Sequence, residues 1–273
     1  MMLVRWLGCV AMIAALGATS ALAQTPAAAQ TQVSVRLDEL TWPELKARID
    51  AGATTIIVPI GGTEQNGPHM ALGKHNVRAT LLAERVARTL GNALVAPVIA
   101  YVPEGSVDPP TAHMRFPGTL SIPVPAFEAV LEGAARSLRR AGFRDIVLLG
   151  DHGGYLRSVA AVASRLDREW RGTGVRVLAP PEYYHAADQA FAATLAARGF
   201  RAEEIGTHAG LADTALTLAL APALVRVDRM HAQPSAADGV YGDPRRSSAE
   251  LGAIGVDAIV AETVAAIRNA ARR

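Results

Sequence analysis

Sulfur chemistry is all but missing from this chain. Its one cysteine, Cys9, lies in an N-terminal apolar segment, so disulfides play no part in the body of the protein, even in a compartment that permits them. Aromatic residues make up 5% of the sequence, too few for a stacking platform that grips nucleic-acid bases. Lys and Arg are scattered and the formal net charge is +2. There is no basic stripe, so nucleic acid is not an expected partner. Half of the 273 residues are hydrophobic, ample for one large core and one domain.

The N-terminus reads as an export signal. Arg5 supplies a short positive region, Leu7 to Ala18 an apolar run diluted by Ala and Gly, and Ala21-Leu22-Ala23 a small-x-small cleavage site. The run is short for a bilayer span of roughly 20 residues. The expectation is a signal peptide over 1–23, cleaved near Ala23, a disordered linker over 24–32, and one α/β domain over 33–273. The mature protein would be periplasmic or secreted, with no membrane segment. Cys9 sits too early in the run to serve as a lipid acceptor.

Thr41 and Pro43 mark a helix start. Thr55-Ile56-Ile57-Val58-Pro59-Ile60 reads as a buried strand. Helical spacing follows over 77–90, then a second strand over 93–101, a long Pro/Gly-rich loop over 102–125 and a helix over 126–141. Asp145-Ile146-Val147-Leu148-Leu149-Gly150 is a third strand, apolar through its middle and so buried on both faces. A helix over 155–170, a strand over 175–179 and helices over 209–220 and 248–270 complete the pattern. This alternation predicts a mostly parallel sheet with helices on both faces. A loop as long as 102–125 inside a compact domain is usually functional.

Chemistry concentrates in four loop segments. Gly61-Gly62-Thr63-Glu64-Gln65-Asn66-Gly67-Pro68-His69 continues to Gly73-Lys74-His75 directly after the first strand. The carboxyl ends of strands are where open α/β sheets collect ligands. Gly150-Asp151-His152-Gly153-Gly154-Tyr155 follows the third strand. A histidine between such residues suits a metal, imidazole being a common ligand; glycines alone would also make a tight strand-to-helix turn. His208-Ala209-Gly210-Leu211-Ala212-Asp213 opens a helix, where an Asp also complements the helix dipole. His113-Met114-Arg115-Phe116-Pro117-Gly118-Thr119 lies in the long loop. His185 and His231 lack supporting neighbours and read as structural or surface residues.

Taken together, these blocks resemble the creatininase (creatinine amidohydrolase) family, over about residues 38 to 270. The family runs Gly-x-x-Glu-Gln-His-Gly-Pro-His-Leu-Pro-Leu-Gly-Thr-Asp, His-x-x-Phe-Pro-Gly-Thr, Asn-Gly-His-Gly-Gly-Asn, His-Ala-Gly-x-x-Glu-Thr-Ser and Gly-Val-x-Gly-Asp-Pro. The last is matched by Gly239-Val240-Tyr241-Gly242-Asp243-Pro244. The resemblance implies a three-layer α/β/α sandwich with a mostly parallel sheet, a homo-oligomer (commonly a hexamer), and metal-dependent hydrolysis of amide or lactam C–N bonds in small substrates. The family's metal centre is often binuclear, with zinc or manganese.

Carried over one at a time, the ligands depart from that pattern. Glu64 and His152 match. The family's second histidine is Asn66 here, its bridging Asp falls on His75, its later Glu becomes Asp213, and a further Glu position is Gly154. Asp151 adds a carboxylate where Gly is usual. A neutral imidazole has one lone pair and cannot bridge two metals. The expectation is therefore one metal per chain rather than two, zinc first and manganese second, held by Glu64, His75, His152 and Asp151. Asp213, His69 and His208 are the candidate catalytic residues. His113, Asn66 and Tyr155 are the candidate substrate contacts. The competing reading is a non-catalytic small-molecule-binding protein on the same scaffold, and a third is a metal-dependent lyase or isomerase.

Overall fold

The computed structural model describes residues 34–230 and 233–272. The expected signal peptide and linker lie outside them, as does His231. The first helix, α1 (Trp42–Asp50), opens with the capping box formed by Thr41 and Glu44. Four parallel strands follow: β1 (Thr55–Ile60), β2 (Ala93–Val95), β3 (Asp145–Gly150) and β4 (Arg176–Leu178), in the order β2-β1-β3-β4. β1 and β3 pair over their whole length, Thr55 opposite Asp145 and Ile60 opposite Gly150, and every residue in both is buried.

The second strand is shorter than its apolar run. β2 stops at Val95, and only an isolated pairing of Ile99 with Ile60 continues toward Tyr101. Proline explains the difference. Pro97 cannot donate to a ladder, and Pro59 on the facing strand lacks the N–H that a longer β2 would use.

Two sets of helices cover the sheet, giving the expected three layers. α2 (Lys74–Leu90) packs on β1 and β2, while α3 (Val124–Ala141) and α4 (Leu156–Glu169) pack on each other and on β3 and β4. After β4 come α5 (Glu182–His185), a π-helical turn (Ala186–Ala190), α6 (Phe191–Ala197) and α7 (Ala202–Ile205). α8 (Leu211–Leu220), the short α9 (Val227–Met230) and α10 (Ala249–Ala271) complete the chain, with α10 packed along α8 and α2. His185 is exposed. Among the described residues, no helix is long and apolar enough to cross a membrane.

Candidate metal centre

The strand order puts a switch point between β1 and β3, because the chain leaves β1 toward β2 and leaves β3 toward β4. The crevice outside the carboxyl ends of such strands is where open α/β sheets bind ligands. The β1–α2 loop brings Glu64 there, and the turn after β3 brings Asp151 and His152. The long loop before α3 brings Glu104 and His113, the segment before α8 brings His208, and α8 brings Asp213. The first turn of α2 adds Lys74, His75 and Arg78. These elements enclose a cavity of about 430 Å³ lined by Lys74, Arg78, His113, His152, His208 and Asp213 among others.

Tyr155 clamps the two central loops together. Its hydroxyl is buried and its one proton goes to the carbonyl of Gly61 (2.5 Å) or Ile60 (2.8 Å). The same oxygen accepts from the backbone N–H of Asp151 (3.2 Å) and of His152 (3.1 Å). Expected as a substrate contact, Tyr155 instead stitches the end of β1 to the end of β3.

The buried charges divide into two systems. In the first, Asp151 accepts from His75 Nδ1 (2.6 Å) and Arg78 Nε (2.8 Å) on one oxygen and from the Tyr183 hydroxyl (2.8 Å) on the other. Arg78 Nη1 also donates to Asp213 (2.6 Å), and the buried Lys74 ammonium pairs with the second oxygen of Asp213. Burial opposes the charge on Asp213, but Lys74 and Arg78 hold its carboxyl well below the usual carboxylate range. Every oxygen of Asp151 and Asp213 is thus occupied by this chain's own donors.

The second system is unfinished. Glu64 is fully buried, Glu104 is 4% exposed, and Glu64 Oε2 and both oxygens of Glu104 have no hydrogen-bond partner. His152 stands between them, its Nε2 3.6 Å from Glu64 Oε2 and its Nδ1 3.5 Å from Glu104 Oε2. Burial, reinforced by the Glu64 charge, pushes the Glu104 carboxyl up to about 9. Burial acts the same way on Glu64, but its hydrogen bond from His75 and the nearby His75, His152 and Lys74 outweigh it, and the net direction is down. Burial lowers His152 to about 3 and His208 to about 4, so both rings are neutral at pH 7. Neutral imidazole is the form that binds metal.

Among the described residues, two groups of three can bring ligand atoms within 4.8 Å of one another: Glu64 with Glu104 and His152, and Glu64 with His113 and His208. The unpartnered oxygens of Glu104 belong to the first group. Gln65 Oε1 accepts from the Gly67 N–H (2.9 Å), which turns its amide nitrogen to donate to His113 Nδ1 (3.0 Å). A neutral ring that accepts at Nδ1 carries its proton on Nε2, and that nitrogen stands 3.2 Å from Glu64. His113 therefore turns a proton toward Glu64, and by the same rule so does the metal-free His152, whose Nδ1 accepts from the Gly154 N–H (3.3 Å) and whose Nε2 faces Glu64. His208 Nε2 stands 3.0 Å from both the Gln65 carbonyl and the Gln65 amide nitrogen, and its Nδ1 is 3.8 Å from Glu64. The backbone pays for placing these rings: Ala112 (φ 48°) and Ala209 (φ 53°), each adjacent to one of them, are the non-glycine residues in the left-handed region among those described.

The expected ligand set is thus rearranged. Glu64 and His152 meet, but His75 and Asp151 face each other, and the second nitrogen of His75 is taken by Glu64 (2.9 Å). Both ring nitrogens of His75 are occupied by carboxylates and no oxygen of Asp151 is free. Asn66, fully buried, spends its amide nitrogen on the carbonyls of Glu64 (2.9 Å) and Ala71 (3.2 Å), shaping the loop instead of contacting substrate. His69 is turned away from the cavity, its Nε2 3.0 Å from the Thr214 hydroxyl. Glu104, Lys74 and Arg78 escaped notice in the sequence. Glu104 had one available signal, a lone acid between Pro103 and Gly105 shortly after the second strand.

A three-layer α/β/α protein with a buried carboxylate–imidazole cluster at its switch point belongs with metal-dependent hydrolases of that architecture. The family model described as creatinine amidohydrolase matches residues 38–267, and the chain belongs to the creatininase family. It is 34% identical over 226 residues to a creatinine amidohydrolase of Pseudomonas putida, covering 79% of this chain and 85% of that one. It is 36% identical over 124 residues to the mycofactocin precursor peptide peptidase of Mycolicibacterium smegmatis, covering 44% of this chain and 47% of that one. A solved creatininase in its manganese form superposes with a TM-score of 0.72 at 30% identity, over 87% of this chain and 98% of its own.

Proposed function

We propose that this creatininase-family protein is a metal-dependent hydrolase that cleaves an amide-type C–N bond, in a lactam or another small non-peptide substrate. The observation that carries this reading is the pair of buried carboxyl groups, Glu64 and Glu104, whose unpartnered oxygens lie beside a neutral His152 that lines the cavity. Buried polar atoms without partners are costly, and a divalent cation is the partner that this donor set suits, zinc first and manganese second. Glu64 and His152 would hold it. When bound, such an ion polarises a carbonyl and lowers the pKa of a bound water to roughly 7.

The chain's own residues supply the rest. His208 lines the cavity as a neutral ring and is suited to take a proton from the attacking water and deliver it to the leaving nitrogen. Its ring is held for that task by the Gln65 carbonyl. Asp213, locked between Lys74 and Arg78, positions the cavity wall rather than carrying protons. A cavity of about 430 Å³ fits a small molecule. The relatives include both a creatinine amidohydrolase and a peptide peptidase, so substrate size is the open variable.

The test is hydrolysis of creatinine, a panel of small lactams and amides, and short peptides by metal-stripped protein, with and without added zinc or manganese. Metal-dependent release of product from a small amide supports the reading. Cleavage of peptides alone would move the substrate class, and no turnover with any metal would leave a binding protein. The same reading includes export after cleavage near Ala23, checked by the N-terminal sequence of the secreted protein, and self-assembly, checked by light scattering.

A further inference from the structure

We infer that Glu104 is a metal ligand, and that with Glu64 and His152 it forms a site for a single divalent cation. The inference rests on the metal-dependent reading above and specifies its ligand set. Unfilled donor atoms carry it. Lys74 and Arg78 are spent on Asp151 and Asp213, and His75 lies between Asp151 and Glu64 with a carboxylate at each ring nitrogen. Glu64 Oε2 and both oxygens of Glu104 remain without a hydrogen-bond partner, and Glu64, Glu104 and His152 can bring one ligand atom each within 4.8 Å of one another. A divalent cation is the partner that such a set of buried donors suits.

Spacing allows it. Two ligands each about 2.1 Å from a tetrahedral zinc stand about 3.4 Å apart, and His152 Nε2 stands 3.6 Å from Glu64 Oε2. Glu104 Oε2 lies 3.5 Å from the other ring nitrogen, Nδ1, and the three residues can bring one atom each within 4.8 Å of one another.

The backbone is also built around this carboxylate. Gly62 has φ 150°, and a Cβ there would come within 2.6 Å of Glu104 Oε1. At Gly154 a Cβ would press to 3.0 Å on the His152 ring and approach the Pro103 carbonyl. These two bare positions leave room for the Pro103–Glu104 segment to reach in. Ser121 fixes that segment on both sides, accepting from the Glu104 N–H (3.0 Å) and donating to the Gly105 carbonyl (2.8 Å). Glu104 thus supplies from the β2–α3 loop a carboxylate that position 154 lacks.

The experiment is calorimetric titration of metal-stripped wild-type, Glu104→Gln and Glu104→Asp proteins with zinc and with manganese. The wild type should take one ion per chain. Glu104→Gln keeps the shape and should weaken binding by about 100-fold or more, beyond the 10- to 100-fold typical of a residue that only orients a ligand. Glu104→Asp should recover part of the loss. Wild-type affinity in Glu104→Gln would overturn the assignment while leaving the hydrolase reading intact. Two ions per chain in the wild type would overturn the single-cation site, and none would overturn both readings. Glu104→Gln should fold, since it keeps the shape of a side chain that burial beside Glu64 already disfavours as an anion. A variant that is less stable without metal yet binds metal as the wild type does would make Glu104 a structural residue and overturn the assignment.

Discussion

Tyr155→Phe removes one oxygen atom from the centre of this molecule and nothing else. The ring keeps its packing against Phe127, 5.3 Å away between centroids. What disappears is the link from the Gly61 and Ile60 carbonyls to the backbone N–H groups of Asp151 and His152. The N–H of Asp151 still reaches the Ile60 carbonyl at 3.0 Å. The N–H of His152 and the carbonyl of Gly61 have no other partner among the described residues. Each buried orphan costs about 1–3 kcal/mol, so the variant should lose about 2–4 kcal/mol. Urea unfolding followed by circular dichroism measures this directly. The midpoint should fall with the slope unchanged, since the native and unfolded surfaces are the same. A loss under about 0.5 kcal/mol would refute the clamp, because even one buried unpaired N–H costs more. The same variant should weaken metal binding, as His152 loses the anchor of its own backbone.

Lys74→Met breaks a buried ion pair but leaves Asp213 its bonds from Arg78 (2.6 Å) and the Ala209 N–H (3.0 Å), so the loss should fall below the usual 3–5 kcal/mol, at about 2–3 kcal/mol by urea unfolding; a neutral result would mean that Lys74's desolvation already cancels its pairing. Metal-free protein should lose stability as pH falls from 6.5 toward 4, because unfolded histidines take up protons that folded His152 and His208 refuse until about 3 and 4. It should also lose stability as pH rises from 4.5 toward 9, because folded Glu104, raised to about 9, keeps a proton that the unfolded chain has released. The arms overlap from 4.5 to 6.5, where two histidines outweigh one carboxyl, so melting temperatures in a chelator should peak near the upper end of that overlap, and Glu104→Gln should flatten the alkaline arm. Ala112→Gly, at an exposed residue with φ 48°, should raise stability by up to about 1 kcal/mol in the same assay; a lower melting temperature would show that the strain is absent.

Where periodicity is strong, the sequence is a good guide to this fold. β1 and β3 occupy the predicted residues because a six-residue apolar run bounded by turn signals has few alternatives. β2 fell short because proline chemistry overrides an apolar pattern. The helical run Glu182–Ala197 was not anticipated, since a π-helical turn at Ala186–Ala190 interrupts its period, and the four-residue α7 carries none.

The site was legible in its parts and not in its wiring. Glu64, His113, His152 and His208 do converge, as loops at strand ends predict. The pairing of His75 with Asp151, 76 positions apart, depends on the register of two strands and one helix. Glu104 lies in a loop with no period, and Lys74 and Arg78 sit on the stripe of α2 that is apolar further along, at Leu82 and Val86. Buried charge at the start of an amphipathic helix is visible only once its partners are.

The most direct test of this account is a crystal of the protein grown with zinc, measured at the zinc absorption edge. The account predicts one anomalous peak per chain, within about 2.0–2.2 Å of an oxygen of Glu64, an oxygen of Glu104 and a nitrogen of His152. A peak bound instead by His75 or Asp151, or by His113 and His208, would contradict it.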